Sequence, residues 1–337
     1  MKAFRQPSFL PLMVIALVLP YLCIEQTASG QNQKSASTNS TAGTRLIAPK
    51  YGVVPLDKER VSEAIGVICS ERTKDPYGSI PIDEMQARPS IELTHPDSIN
   101  GTSRARRLLP QTRELVAKAL RELGKKYEIP EWRINTAVQR IQQVTKINPD
   151  PDLRDNAAVI MSEPDTISFG TIFLAGLRSD EGMISVLAHE MTHLADGSPN
   201  TLQPLFRAIG TKASALLGMR VTGQRAEELT CDLIGMMVAR YLAESKPGKD
   251  TLMRRLSRSL QHNCVEEDVT DEAHLSPRTT MRAIVSLDSR YMRDLVGLTS
   301  VSNSPASQTP RSDFIFSMKR GSSLTISRAD SYYLGSQ

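Results

Sequence analysis

Hydrophobic positions along this chain recur mostly at helical intervals. Between Pro110 and Tyr127 (PQTRELVAKALRELGKKY), Leu115, Ala119 and Leu123 lie four residues apart. That spacing stacks them on one helix face and leaves a basic, solvated face opposite. Trp132 to Ile147 repeats the pattern with Ile134, Val138, Ile141 and Val144, and Pro149-Asp150-Pro151 predicts the end of that helix. The texture changes over 156–175 (NAAVIMSEPDTISFGTIFLA). Val159, Ile160, Ile167, Phe169, Ile172 and Phe173 favour pleated backbone, and a Glu-Pro-Asp turn separates two short runs. Helical spacing returns with Ile184, Val186, Leu187 and Leu194, and a further helix is predicted over 225–243. No internal repeat is present. The pattern therefore predicts an α+β, mainly helical fold, with a small β-sheet before the helix around 184–194.

The two ends read differently from this body. Lys2 and Arg5 precede an apolar run from Phe9 to Ile24, broken only by Pro11 and Pro20, and Thr27-Ala28-Ser29-Gly30 follows. This is the order of a secretory signal peptide over residues 1–30. An uncleaved N-terminal membrane anchor is the alternative, because the run is only marginally short of a span; the prolines and small residues favour cleavage. The expected location is periplasmic or secreted. Residues 31–44 (QNQKSASTNSTAGT) read as a disordered spacer, and 299–337 as a flexible Ser/Pro-rich tail in which Phe314, Ile315 and Phe316 can supply a short strand. Between them, 45–298 is one predicted domain.

Charge narrows the partners. With 41 basic against 37 acidic side chains in 337 residues, the surplus of +4 is too small and too dispersed to argue for nucleic acid. No second apolar span follows the leader, so no stable membrane span is expected after its removal. Cysteine use depends on the compartment. With the leader gone, Cys69, Cys231 and Cys264 remain. Export permits a disulfide, Cys69 with Cys264 being the pairing to test first, while three buried thiols fit the sequence equally well.

The chemistry concentrates at His189-Glu190-Met191-Thr192-His193. One helical turn is about 3.6 residues, so His189 and His193 project from the same face and can share one Zn2+. Glu190 stands about 100° round the helix, placed as general base toward water at the metal without ligating it. The pattern needs a third ligand. A metzincin would carry it six residues beyond His193 with a midway glycine, but those positions are Pro199 and Asp196. Downstream, Glu228 and Asp232 lie four apart on one face of the 225–243 helix. Glu228 is the candidate third ligand, and Asp232 the carboxylate that orients a ligand imidazole. Glu227 falls on a different face from Asp232 and is set aside. Cys231 is expected to pack as a small apolar residue. His95 and His262 have no evident partner and are expected at the surface.

With these residues in place, the chain resembles the gluzincin metallopeptidases of the CAAX prenyl protease, HtpX and mitochondrial Oma-type group. That group carries H-E-x-x-H followed on a later helix by R-x-x-E-x-x-A-D. Arg225, Glu228 and Asp232 fall on the second motif, with Cys231 in place of its alanine. Asn156-Ala157 resembles the opening of the group's edge strand, and Gly170 to Leu177 (GTIFLAGL), then Ser179-Asp180-Glu181, the approach to the metal helix. His274 and Arg282 stand where the group carries a histidine and then an arginine on a helix, although Leu275 follows His274 where proline is usual. For His274 a second reading is open: a surface histidine before a helix capped by Ser276 with Pro277 at its first position.

The resemblance implies a zincin-like metallopeptidase domain and a zinc endopeptidase with His189, His193 and Glu228 as ligands. It implies that Glu190 activates water and that His274 or Arg282 donates to the oxyanion. It also implies that an extended, unfolded polypeptide pairs with residues 156–160 or 167–173. A polypeptide-binding, chaperone-like protein that does not cut is the competing class; the intact Glu190 favours the enzyme.

Overall fold

The computed structural model describes residues 58–197, 200–246, 250–266, 270–288 and 290, and the backbone of 314–319 and 323–328. The predicted leader and spacer lie outside the described residues. Two helices open the body, α1 (Lys58–Arg72) and α2 (Ile82–Gln86), followed by the long α3 (Pro96–Lys126) and by α4 (Glu131–Ile141). Three strands come next: β1 (Lys146–Asp150), β2 (Ala157–Val159) and β3 (Thr166–Gly170). The remaining helices are α5 (Thr171–Gly176), α6 (Asp180–Asp196), α7 (Gln203–Leu217), α8 (Gln224–Ser245), α9 (Leu252–Leu260) and α10 (Pro277–Leu287). A 3-10 turn, Gln261–Asn263, follows α9. The architecture is α+β and mainly helical, as the periodicity predicts.

Two expectations, the bounds of α3 and α4, are corrected, and a third, a strand at Phe314–Phe316, is met. Helix α3 begins at Pro96, where the His95 ring accepts a hydrogen bond from the Asp97 N–H, and not at Pro110. Pro110 sits inside the helix on its exposed side. An interior proline costs about 3 kcal/mol, but the stripe running from Ala105 through Leu108, Leu109 and Val116 to Leu123 is buried on both sides of it, and that burial outweighs the break. Helix α4 stops at Ile141. Val144 and Ile147 are buried as the periodicity demands, but from a turn and from β1. Pro149 is tolerated because β1 is an edge strand. Within the tail predicted to be flexible, β4 (Phe314–Lys319) and β5 (Ser323–Arg328) form an antiparallel hairpin, pairing Phe314 with Arg328 and Lys319 with Ser323.

The three-stranded sheet has the order β1-β3-β2, with β1 parallel to β3 and β2 antiparallel to it. Strand β3 is central, and its Ile167 and Phe169 are fully buried. Both its edges are taken, so of the two segments expected to pair with a substrate only the one at β2 keeps an open edge among the described strands.

Strand β3 feeds through α5 into α6, whose first turn is capped by the Ser179 hydroxyl accepting from Gly182 N–H at 3.0 Å. Helix α6 packs most extensively on α8. At their closest approach stands Gly235, where a Cβ would lie 2.5 Å from the Ser185 carbonyl oxygen; only glycine lets the two backbones come this near. Helix α9 and the turn that follows it are each tied down. Cys69 and Cys264 form a disulfide joining α1 to the segment after the 3-10 turn, and Arg258 donates to buried Asp75 at 2.7 Å. No described helix is long and apolar enough to cross a membrane.

Candidate metal centre

Helix α6 presents His189 and His193 one turn apart, and α8 crosses opposite them with a run of acids. The Nδ1–H of His189 donates to Asp232 Oδ1 at 2.8 Å, and the Nδ1–H of His193 donates to Glu227 Oε1 at 3.0 Å. With both Nδ1 atoms engaged, the two Nε2 lone pairs are free, and these nitrogens lie 3.2 Å apart. Glu228 Oε2 completes a triangle, 3.2 Å from His189 Nε2 and 3.5 Å from His193 Nε2. Tetrahedral ligands bonded at about 2.0–2.2 Å stand about 3.3–3.5 Å apart, so the triangle fits an ion at its centre. His189, His193 and Cys231 also form a group that can hold a metal ion, their donor atoms within 4.8 Å of one another. The Cys231 sulfur lies 3.8 Å from His193 Nδ1, on the side of the ring occupied by Glu227.

The electrostatics follow from this crowding. Burial opposes charge on both imidazoles, but Asp232 and Glu228 outweigh it at His189, and Cys231, Glu227 and Glu228 outweigh it at His193. Both pKa values are held well above the ordinary histidine value. Burial likewise pushes the Glu228 carboxyl up, and the two histidines more than reverse it, holding it well below the carboxylate range. Burial alone raises Cys231 against the opposing histidines. Glu190, 8% exposed, is raised by burial against the pull of His189 and His193. Three carboxylates converge on two imidazoles, and the cluster is completed by positive charge.

A cavity of about 520 Å3 opens over this cluster and includes Glu190, Asn156 and His274 in its lining. Asn156 precedes β2; its side-chain oxygen accepts from Ala157 N–H at 2.9 Å and its carbonyl from Gly170 N–H at 2.7 Å. Ala157, buried, opens the strand. His274 reaches the cluster from a loop, its Nε2 3.6 Å from Glu228 Oε2. That loop is organised by Asp271, which accepts from His274 Nδ1–H at 3.0 Å and from Ala273 N–H at 2.8 Å. Arg225 of α8 in turn donates to the Asp271 carbonyl at 3.1 Å. His274 is exposed and precedes a helix that Ser276 caps with Pro277 in its first turn, as the second reading expects, and its ring also lines the cavity. Arg282 is exposed on α10 and does not line the cavity. The structure thus gathers the expected residues at the cluster and its cavity apart from Arg282 on α10 and Ala157, which is buried in β2 beside Asn156.

Two residues escaped the sequence reading. Glu227 was set aside because it does not share a face with Asp232, yet it holds His193. The pairings of 189 with 232 and 193 with 227 require α6 and α8 to run antiparallel here, and adjacent α8 residues then straddle the two rings. The doubled acid at 227–228 was the available signal. His262 is the second: expected at the surface, it is 7% exposed and lines the cavity. Burial, helped by the charge of His189 and opposed by that of Asp232, holds its ring neutral and lowers its pKa to about 4. The Asn263 side-chain amide donates to its Nε2 at 3.3 Å, while Nδ1 has no hydrogen-bond partner among the described residues. A buried donor left in that state costs about 1–3 kcal/mol. Comparison of the chain with protein-family models, with curated proteins and with solved structures produced no match.

Proposed function

We propose that this chain is an exported zinc endopeptidase with a zincin-like domain, hydrolysing peptide bonds in unfolded or extended polypeptides. The observation that carries the reading is the triangle of His189 Nε2, His193 Nε2 and Glu228 Oε2, each imidazole oriented by a carboxylate on its far nitrogen. Glu228 is preferred to Cys231 as third ligand because the sulfur approaches His193 through Nδ1, which Glu227 occupies. When bound, Zn2+ supplies a Lewis acid that polarises a scissile carbonyl and makes water acidic.

The remaining steps belong to the side chains. Glu190, adjacent to His189 and buried at the cavity wall, takes a proton from the attacking water and delivers it to the leaving amine, ending in its starting ionisation state. His274, anchored through Nδ1–H to Asp271 beside Glu228 and carrying a second proton on Nε2, donates that Nε2–H to the carbonyl oxygen as negative charge gathers there. The open edge of β2, entered through Asn156 and Ala157, accepts an extended substrate as an added strand. Arg282 has no part in this scheme.

The test uses the purified chain and an unfolded protein substrate, with and without a chelator. The expected result is one zinc per chain and cleavage that the chelator and Glu190→Gln both abolish. Stoichiometric zinc without cleavage, unchanged by Glu190→Gln, assigns the chain to polypeptide-binding proteins instead.

A further inference from the structure

The cavity does not stop at the metal cluster. Glu228 and Met236 both line it from α8, and at the helical rise they stand about 12 Å apart. Ile82 of α2 and Val186 of α6 supply apolar wall to the same cavity, and His262 and Asn263 of the 3-10 turn supply uncharged polar groups. The Ser259 hydroxyl, two residues before that turn, reaches Met236 Sδ at 3.5 Å, which places the turn against this end.

His262 defines what this end can accept. A side-chain amide nitrogen only donates, so the contact with Asn263 makes Nε2 the acceptor and leaves the proton of the neutral ring on Nδ1. That N–H is unpartnered among the described residues, in a ring more than nine-tenths buried, whereas buried donors in folded proteins are nearly always satisfied. No lysine or arginine lines the cavity, while Asp155, Glu190, Glu228, Asp232 and Asp271 do. An anionic side chain is therefore repelled along the way. A cationic one brings donors to a donor, and a purely aliphatic one leaves the N–H unmet.

We propose that this end of the cavity is a specificity pocket for one substrate side chain, and that it selects an uncharged residue whose oxygen accepts a hydrogen bond from His262, with glutamine and asparagine fitting best. Ile82, Val186 and Met236 cover the methylene stem, and the amide oxygen meets Nδ1–H. That nitrogen is closed to bulk water in the free protein, so a small turn of the ring about its soft terminal torsion completes the contact. The proposal rests on the endopeptidase reading, which supplies the polypeptide.

The experiment measures binding of fluorescent peptides that differ at one position (Gln, Asn, Leu, Lys or Glu) to the zinc-loaded Glu190→Gln chain, alongside cleavage of the same set by the unaltered chain. Gln and Asn peptides are expected to bind about tenfold more tightly than the others. His262→Phe, which keeps a ring and removes the donor, should erase the difference with zinc content and thermal unfolding midpoint unchanged. Should His262→Phe fail to fold, Ile82→Trp fills the pocket from its half-buried side and must erase the same preference. Peptides bound or cut with no preference for Gln and Asn, or a preference that survives His262→Phe, overturn the pocket and leave the endopeptidase reading intact. If no peptide is bound or cut by any form, both fall together.

Discussion

A half-buried and a buried histidine in one cavity sit at opposite electrostatic extremes. His189 and His262 are both withdrawn from water, and burial pushes both toward the neutral form. At His189 that push is overcome, because Asp232 lies 2.8 Å from one nitrogen and Glu228 3.2 Å from the other. At His262 the Asn263 amide stands 3.3 Å from Nε2, Asp232 pulls only through space and is opposed by His189, and burial wins. Partners, not depth, decide what an imidazole does. The first ring is built to meet a cation, and the second to remain a neutral donor.

The comparison breaks most visibly if its charged end is not the reacting end. Replacing Glu190 by glutamine should lower the turnover of an unfolded substrate by about 10^2–10^4, with zinc content by elemental analysis unaltered; retained activity would show that the cluster does no chemistry. A smaller effect is expected from the acids behind the rings. Asp232→Asn and Glu227→Gln should each weaken zinc binding by about 10–100-fold, read from competition with a chelating dye. Loss in one variant only would mean that the two imidazoles are not equivalently supported.

The smallest effect sharpens the contrast directly. Asn263→Asp puts a carboxylate where an amide now stands against His262 Nε2, and the ring's pKa should climb from about 4 to above the ordinary histidine value, followed by NMR titration of the ring protons. The sign carries into stability. In the unaltered chain the unfolded state takes up a proton that folded His262 refuses between about 6.5 and 4. This contribution is therefore fully present above the unfolded value and is lost as pH falls through that window. In Asn263→Asp the folded state holds the proton more tightly, so the contribution is present at low pH and fades as pH rises through the folded pKa. Parallel stability curves for the two proteins would sink the assignment.

How much of this was legible in the chain depended on whether the relevant geometry lies within one helix. His189, Glu190 and His193 were readable because a fixed turn sets their spacing, and Glu228 with Asp232 for the same reason. Glu227 was not, since its role comes from how α8 crosses α6, which no single-helix projection contains. The end of α4 was misplaced because Val144 and Ile147 keep the helical interval past Ile141, although pairing with β3 draws 146–150 into the sheet. Helix α3 was shortened because Pro110 reads as a first-turn residue, and only the buried stripe on both sides shows why the helix continues through it. A lone histidine at 262 carried no periodic or pairwise signal. The disulfide was suggested by the compartment, and its partners were decided by the packing of α1 against the turn after α9.

The open edge of β2 is three residues long. A chain lying along it gains only a few backbone hydrogen bonds, each contributing about 0.5–1.5 kcal/mol net. Such a seat holds neither substrate nor product for long. In the proposed endopeptidase, turnover would then depend on quick exchange along a weak seam, with any discrimination among passing sequences left to whatever side chain can drop from that seam into the wall beneath.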